Sequence, residues 1–416
     1  MTGARLFYQH EQTVAGEKRL VSGAPGYSLS RHFPGALQTP CELKDNDLTN
    51  NTHFFMKTRI PGRLTAVIAG CFLAGLLGGC TTPATKTGPQ KSYTFFPPSP
   101  DEPRIQYLTG FSSDAEFAKG GKFAEFITGQ KTQVNALVKP YGLALHDGKI
   151  FVCDTVAGDI AVFDFKKSRA SIFAPPGEGG LRLPVNLSID EDGTRYVADT
   201  LRQQVLVYDA AGTFLAAIGK KEEMKPTDVA ITADRLYVTD LKNHGVKVYR
   251  KADRQLLFSI PRDPKIKQGK LFEPTNLAVD KSGRLLVSDI GSFSVQVYDL
   301  EGNYLRTIGQ QGLAPGLFSR PKGVAVDREG LAYVVDAATQ VVQIFDTEGK
   351  LLLYFGAPRA STQGQLTLPA AVKVDYENTR YFQKYVAPGY RCEYLIVVTS
   401  QFGGPKVSVY GFLKKS

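Results

Sequence analysis

From residue 137 to residue 412 the apolar positions fall in short runs, not at helical spacing. Each run is four to six residues long, rich in Val, Ile, Tyr and Phe, and bounded by Gly, Asp or Glu-Gly. Such runs predict strands. The unit is clearest at Pro321-Lys322-Gly323-Val324-Ala325-Val326-Asp327, followed by Leu331 to Asp336, Val341 to Asp346 and Leu351 to Gly356. Its proline recurs at Pro140, Pro184, Pro226, Pro274, Pro321 and Pro369, in steps of 42 to 48 residues. An Asp closes the second run at Asp154, Asp199, Asp240, Asp289 and Asp336. The pairs Asp192-Gly193, Ser282-Gly283, Glu329-Gly330, Glu301-Gly302 and Glu348-Gly349 supply the left-handed positions that hairpins need. Each unit therefore predicts four antiparallel strands, A to D. A period in the forties with four short strands predicts a blade that must stack on its neighbours. The fold class expected is all-β: a six-bladed β-propeller.

The sixth unit offers strand A (371–375), strand B (394–400) and strand C (406–412), and then the chain ends without a strand D. Arg104 to Phe111 has the pattern of a stray strand D ahead of the first strand A. This N-terminal strand is expected to complete blade six and remove an open edge.

The chain contains no Trp, which argues against Trp-docked blades. The pattern P-x-[GN]-[VL]-A-[VI]-D…[LY]-x-V-x-D…V-x-V-[YF]-D…G resembles the NHL repeat over about 275 residues. That resemblance implies the ring and leaves function open. Propellers of this kind include binding scaffolds, amidating lyases and lactonase-like hydrolases.

Ahead of the ring, Met56 to Arg63 is basic, Leu64 to Leu77 is apolar, and Gly78-Gly79-Cys80 follows. This is the pattern of a secretory signal, with an apolar run short for a membrane span. Leu77-Gly78-Gly79-Cys80 resembles the lipobox of bacterial lipoproteins, which implies lipidation of Cys80. Cys71 also fits that box, but would leave an apolar stub behind it. Thr81 stands where an Asp would favour the inner membrane, so the resemblance implies the outer membrane. The expected organisation is an artefactual or disordered extension at 1–55, a signal peptide at 56–80, a Pro-rich tether at 81–103 and the propeller at 104–416. The whole resembles NHL-repeat lipoproteins of bacterial envelopes.

The full chain holds 50 basic and 40 acidic residues, and residues 1–80 contribute 8 and 5, which leaves a moderate formal +7 beyond them. This suits a solvated surface or attraction to anionic lipid or an acidic envelope polymer, with an envelope protein or polymer as the expected partner. Nucleic acid is not expected for an exported chain. Cys153 and Cys392 are expected to be two unpaired thiols. Of the five histidines only His146 and His244, near turns, lie beyond residue 80, too few for a His-ligated zinc site.

Two sets of positions carry candidate chemistry. The repeated Asp residues sit beside the turn between strands B and C, where a carboxylate accepts backbone N–H groups. A structural role is expected for them. Two residues after each proline stand Gly142, Asn186, Asp228, Asn276, Gly323 and Ala371. Asn186, Asp228 and Asn276 come from consecutive blades and could converge near the axis, with oxygen donors of the type Ca²⁺ takes. Lactonase-like propellers use a similar set, which makes a metal-dependent hydrolase the alternative to a binding scaffold. Local hydrogen bonding of these side chains is the simpler expectation. Finally, residues 376–394 interrupt blade six with Tyr381, Phe382, Tyr385, Tyr390 and Arg391. Aromatic and Arg residues on a long loop suit either a lid over the channel end or a partner-contact surface.

Overall fold

A computed structural model describes residues 92–117, 136–263, 265–357 and 363–416. Five blades are continuous four-stranded antiparallel sheets, at 140–173, 184–218, 226–260, 274–308 and 321–355. The sixth is a sheet of five strands. The inner strands A, which begin at the six repeated prolines, contact one another in sequence, and the sixth contacts the first. The ring is therefore closed, and the fold is the six-bladed propeller the repeat predicts.

Packing explains why the runs are apolar throughout and do not alternate. The middle strands have neighbours on both sheet faces: all of Val341–Phe345 is buried. The outer strand D has one face against a neighbour and one in solvent, so Leu351–Phe355 alternates between half-buried and exposed until its last residue. Among the described residues the buried side chains form six apolar clusters, one at each seam between blades. At the seam of blades three and four, Tyr237, Val246 and Val248 meet Leu277, Val287 and Tyr298. The core of this protein is a set of wedges between blades.

The hairpin glycines lie where the sequence places them. Gly193, Gly283, Gly302, Gly330 and Gly349 have φ between 81° and 86°. The B–C turns are a different case. Gln203, His244, Phe293 and Gln340, each four residues after its repeated Asp, also have positive φ, between 53° and 62°. A side chain there carries local strain, which sequence cues based on glycine do not reveal.

Blade six combines both ends of the chain. Ile105–Phe111 pairs antiparallel with Val407–Lys415, in the register Ile105 opposite Phe412 and Phe111 opposite Val407. This is the expected closure. Thr94–Phe96 adds an outer strand, with Thr94 opposite Tyr107. Phe96 packs on Phe355 and Tyr410 at ring distances of 5.9 and 6.2 Å. The sheet thus reaches into the segment expected to be a tether, and it begins at Thr94, not at 104. Its prolines, Pro97, Pro98, Pro100 and Pro103, fall in the connection between the two strands, where no ladder N–H is needed. Strand B also starts early, at Tyr390. The extension at 1–55, the signal at 56–80 and Cys80 lie outside the described residues.

Candidate functional site

The five repeated aspartates are buried, at 1% exposure or less. Each closes strand B and collects N–H groups from two directions. Asp154 accepts from Val138 and Lys139, ahead of strand A, and from Val156 and Ala157 in its own turn, at 2.6–3.1 Å. Asp336 does the same with Ser319, Arg320, Ala338 and Thr339. The carboxylate staples the incoming connection to the B–C turn, and its lone pairs are used in doing so. In blade six Ser400 takes the place, accepting one bond from Thr367 N–H at 3.3 Å.

Asn186, Asp228 and Asn276 are each 1% exposed, on the inner strands. Asp228 Oδ1 accepts from Val229 N–H at 2.8 Å. Its Oδ2 accepts from Leu277 N–H of the next blade at 3.0 Å and from Asn276 Nδ2 at 3.4 Å. Asn186 Oδ1 accepts from Leu187 N–H at 3.0 Å. The structure thus brings Asp228 and Asn276 into contact, whereas Asn186 bonds to its own strand. A side chain at this repeat position points at the next inner strand. A Cβ on Gly142 would meet Asn186, and one on Gly323 would meet the Ala371 backbone, so glycine is required where two backbones approach most closely.

Burial pushes the Asp228 carboxyl up to about 6, against the opposing pull of Lys373 from blade six and the N–H bonds from Leu277 and Val229. Every oxygen of Asp228 and Asn186 already accepts a hydrogen bond, and only Asn276 Oδ1 is buried without a partner. Among the described residues no three acidic, His or Cys side chains gather as a metal site. The geometry favours the local hydrogen-bonding role over the Ca²⁺ site.

The neighbouring repeat position, directly after each proline, holds Tyr141, Val185, Thr227, Thr275, Lys322 and Ala370. Lys322 is 6% exposed. Its Nζ donates to Tyr141 Oη at 3.1 Å and lies 4.4 Å from the centre of that ring. Burial lowers the ammonium to about 8, with Arg320 and Lys139 pushing the same way. Burial, then the Asp228 charge, holds the Tyr141 hydroxyl above its ordinary range. Sequence reasoning passed over Lys322. The signal was a lysine on an inner strand at a position otherwise filled by uncharged residues.

The two faces of the ring differ. Strand A starts and strand C starts lie on one face, because Pro140 pairs with Asp154 and Asp154 with Asp159. The loops of this face carry Val138, Val156, Leu201, Phe272, Leu313 and Phe402, all exposed. Lysines stand over its aromatic rings: Lys139 and Lys406 over Phe402, and Lys270 over Phe272, at 5.3–5.8 Å. At the opposite face, the ends of strands A from blades one, two and six open into a cavity of about 720 Å³. Asp147, Asp190, Glu191, Asp375, Glu377 and Arg328 line it, with Asp190 paired to Lys251 at 2.8 Å and Asp147 paired to Lys166.

The insertion of blade six turns inward. Phe382 is buried at the seam with blade one, edge-on to Phe165 at 5.0 Å, and Tyr381 packs on the same ring at 5.3 Å. Tyr385 joins that cluster. Tyr390 is half-buried and meets Phe95 at 6.1 Å, and Arg391 is exposed. The insertion covers a seam, and its buried Phe382 is not available for a partner contact. Cys153 and Cys392 are separate buried thiols; burial raises both, Cys392 up to about 12.

No family model matches the chain. Solved structures share the fold at low identity. A protein of unknown function from Bacteroides thetaiotaomicron aligns at 14% identity and TM-score 0.51, covering 75% of this chain and 76% of that one. A gluconolactonase from Xanthomonas campestris aligns at 16% identity and TM-score 0.49, covering 75% and 89%. Virginiamycin B lyase from Staphylococcus aureus aligns at 12% identity and TM-score 0.45, covering 67% and 85%. At these identities the likeness is one of fold.

Proposed function

We propose that the chain is a binding module of the bacterial envelope, held by a lipid on Cys80 and docking a protein partner through the B–C and D–A loop face. One observation carries this reading: the exposed apolar residues of the loops gather on that face, with Lys139, Lys270 and Lys406 among them. An interface core of exposed apolar and aromatic residues with a basic rim fits an acidic protein surface with an apolar centre. A photo-crosslinking residue at Leu201 or Phe402 should capture one partner in intact cells, while the same residue at Leu352, on an outer strand, should not. Equal capture at all three sites, or none, rejects the reading. A Cys80→Ser chain should lose palmitate labelling.

The second reading is a lactonase-like hydrolase at the ring axis. It is favoured by Asp228, a carboxylate on an inner strand that burial pushes up to about 6, in the range of a general base. Turnover of a sugar lactone by the purified protein, lost in Asp228→Asn, would move the assignment to this class.

A further inference from the structure

We propose that the loop-face end of the ring axis is a binding site for a small oxyanion, a carboxylate or phosphate group, held by Lys322 and Tyr141. The argument begins with a contrast. Lys247 and Lys322 are the two buried lysines among the described residues. Lys247 has two carboxylates in reach, Glu223 at 3.5 Å and Asp240 at 3.9 Å. Among the described residues Lys322 has no carboxylate within 4.0 Å, and its one hydrogen-bond partner there is Tyr141 Oη at 3.1 Å. An ammonium withdrawn from water without a counter-charge is costly. The charges of Arg320 and Lys139 add to the positive potential. The missing element of this site is negative charge.

A second observation points the same way. Thr275 occupies the equivalent position on the preceding inner strand, and its Oγ1 is buried with no partner. Its hydroxyl is a spare donor on the wall of the same axis. On the other side of Lys322, blade six contributes Ala370, so no bulky side chain intervenes between Lys322 and Tyr141. The site offers an ammonium, a phenol and a hydroxyl as donors, with Arg320 exposed at the entrance. Charge-assisted bonds of this kind suit an oxyanion. Asp228, the buried carboxylate of the inner strands, accepts hydrogen bonds at both oxygens from Val229, Leu277 and Asn276, and no ion pair joins it to Lys322 among the described residues.

The proposal is independent of where the chain resides and of its docking partner. The test is calorimetric titration of the full propeller with inorganic phosphate and, separately, with acetate and citrate. Vesicles carrying phosphatidylglycerol form a further arm, which separates a free anion from a lipid phosphate. Binding of at least one of these anions should be lost in Lys322→Met and weakened several-fold in Tyr141→Phe. It should also fall about tenfold between pH 7 and pH 9, as the Lys322 ammonium deprotonates. Lys322→Met removes a buried charge and keeps the stem, so it should fold, which circular dichroism checks. No binding by any of these anions overturns the proposal, as does equal binding in the folded Lys322→Met protein, which would indicate an adventitious surface ion only.

Discussion

Blade five and blade six carry the same repeat and are built in opposite ways. Blade five is one unbroken segment, 321–355, and its B–C turn is tied by a carboxylate with four N–H donors. Blade six joins residues 94–111 to residues 369–415, and a hydroxyl with one bond replaces the carboxylate. Blade five is stabilised from within. Blade six draws on the chain's two ends and on its insertion, whose Phe382 and Tyr381 press on Phe165 of blade one. A closed ring tolerates one weakly anchored blade, provided that this blade is the one that holds the termini together.

The most severe way to break this comparison is to delete residues 94–111. Ile105 and Phe111, at 0% and 3% exposure, would leave two seam clusters at once. Cooperative unfolding should be lost, so that calorimetric and van't Hoff enthalpies no longer agree. Unchanged melting would mean that the N-terminal strand is not the closure. A smaller effect sharpens the contrast of the two turns. Asp336→Ala should cost about 3–5 kcal/mol, because it strips several buried N–H groups of their acceptor, whereas Ser400→Ala should cost about 1 kcal/mol. Urea midpoints measure both, and equal losses would refute the account. A pH-dependent effect concerns Lys373, which blade six places where blade five has Ala325. Lys373 favours the charged form of Asp228, whose carboxyl burial pushes to about 6, against about 3.9 in an unfolded chain. The native state therefore binds more protons between those values. The Asp228 contribution to stability should fall by on the order of 2–3 kcal/mol as pH rises from about 4 to about 6. Because burial also raises Asp159, Asp327 and Asp375, the difference between the wild type and Asp228→Asn isolates it, and Lys373→Met should move the midpoint of that difference higher.

The ring was legible because its determinants are local. A proline, a Gly-marked hairpin and an Asp at fixed spacing each act within one blade, and repetition makes the pattern visible. The role of the repeated Asp residues followed from their place beside a turn. The outer strand Thr94–Phe96 was hidden because three residues among prolines read as a linker, and it is held by Phe355 and Tyr410, far away in sequence. The inward packing of Tyr381 and Phe382 was hidden for the same reason: an aromatic loop looks alike whether it faces solvent or a seam. Asn186, Asp228 and Asn276 were rightly placed on the inner strands, but backbone donors from a neighbouring blade decide what a carboxylate can do, and those are visible only once blades stand side by side. Lys322 was missed because its meaning lies in what it lacks, a carboxylate within reach.

The pairing of Ile105 with Phe412 spans about 300 residues, which makes it a matter of timing as well as of stability. The strand that closes the ring is synthesised before the five continuous blades, and its partner strand after them. At about 5–20 residues per second, it waits on the order of 15–60 s for the strand it must meet. During that interval the five continuous blades are completed one after another, up to residue 355, while the strand's edge toward 407–415 has no partner. Whatever attends this chain during synthesis has one short stretch to guard, residues 105 to 111, until the last residues arrive.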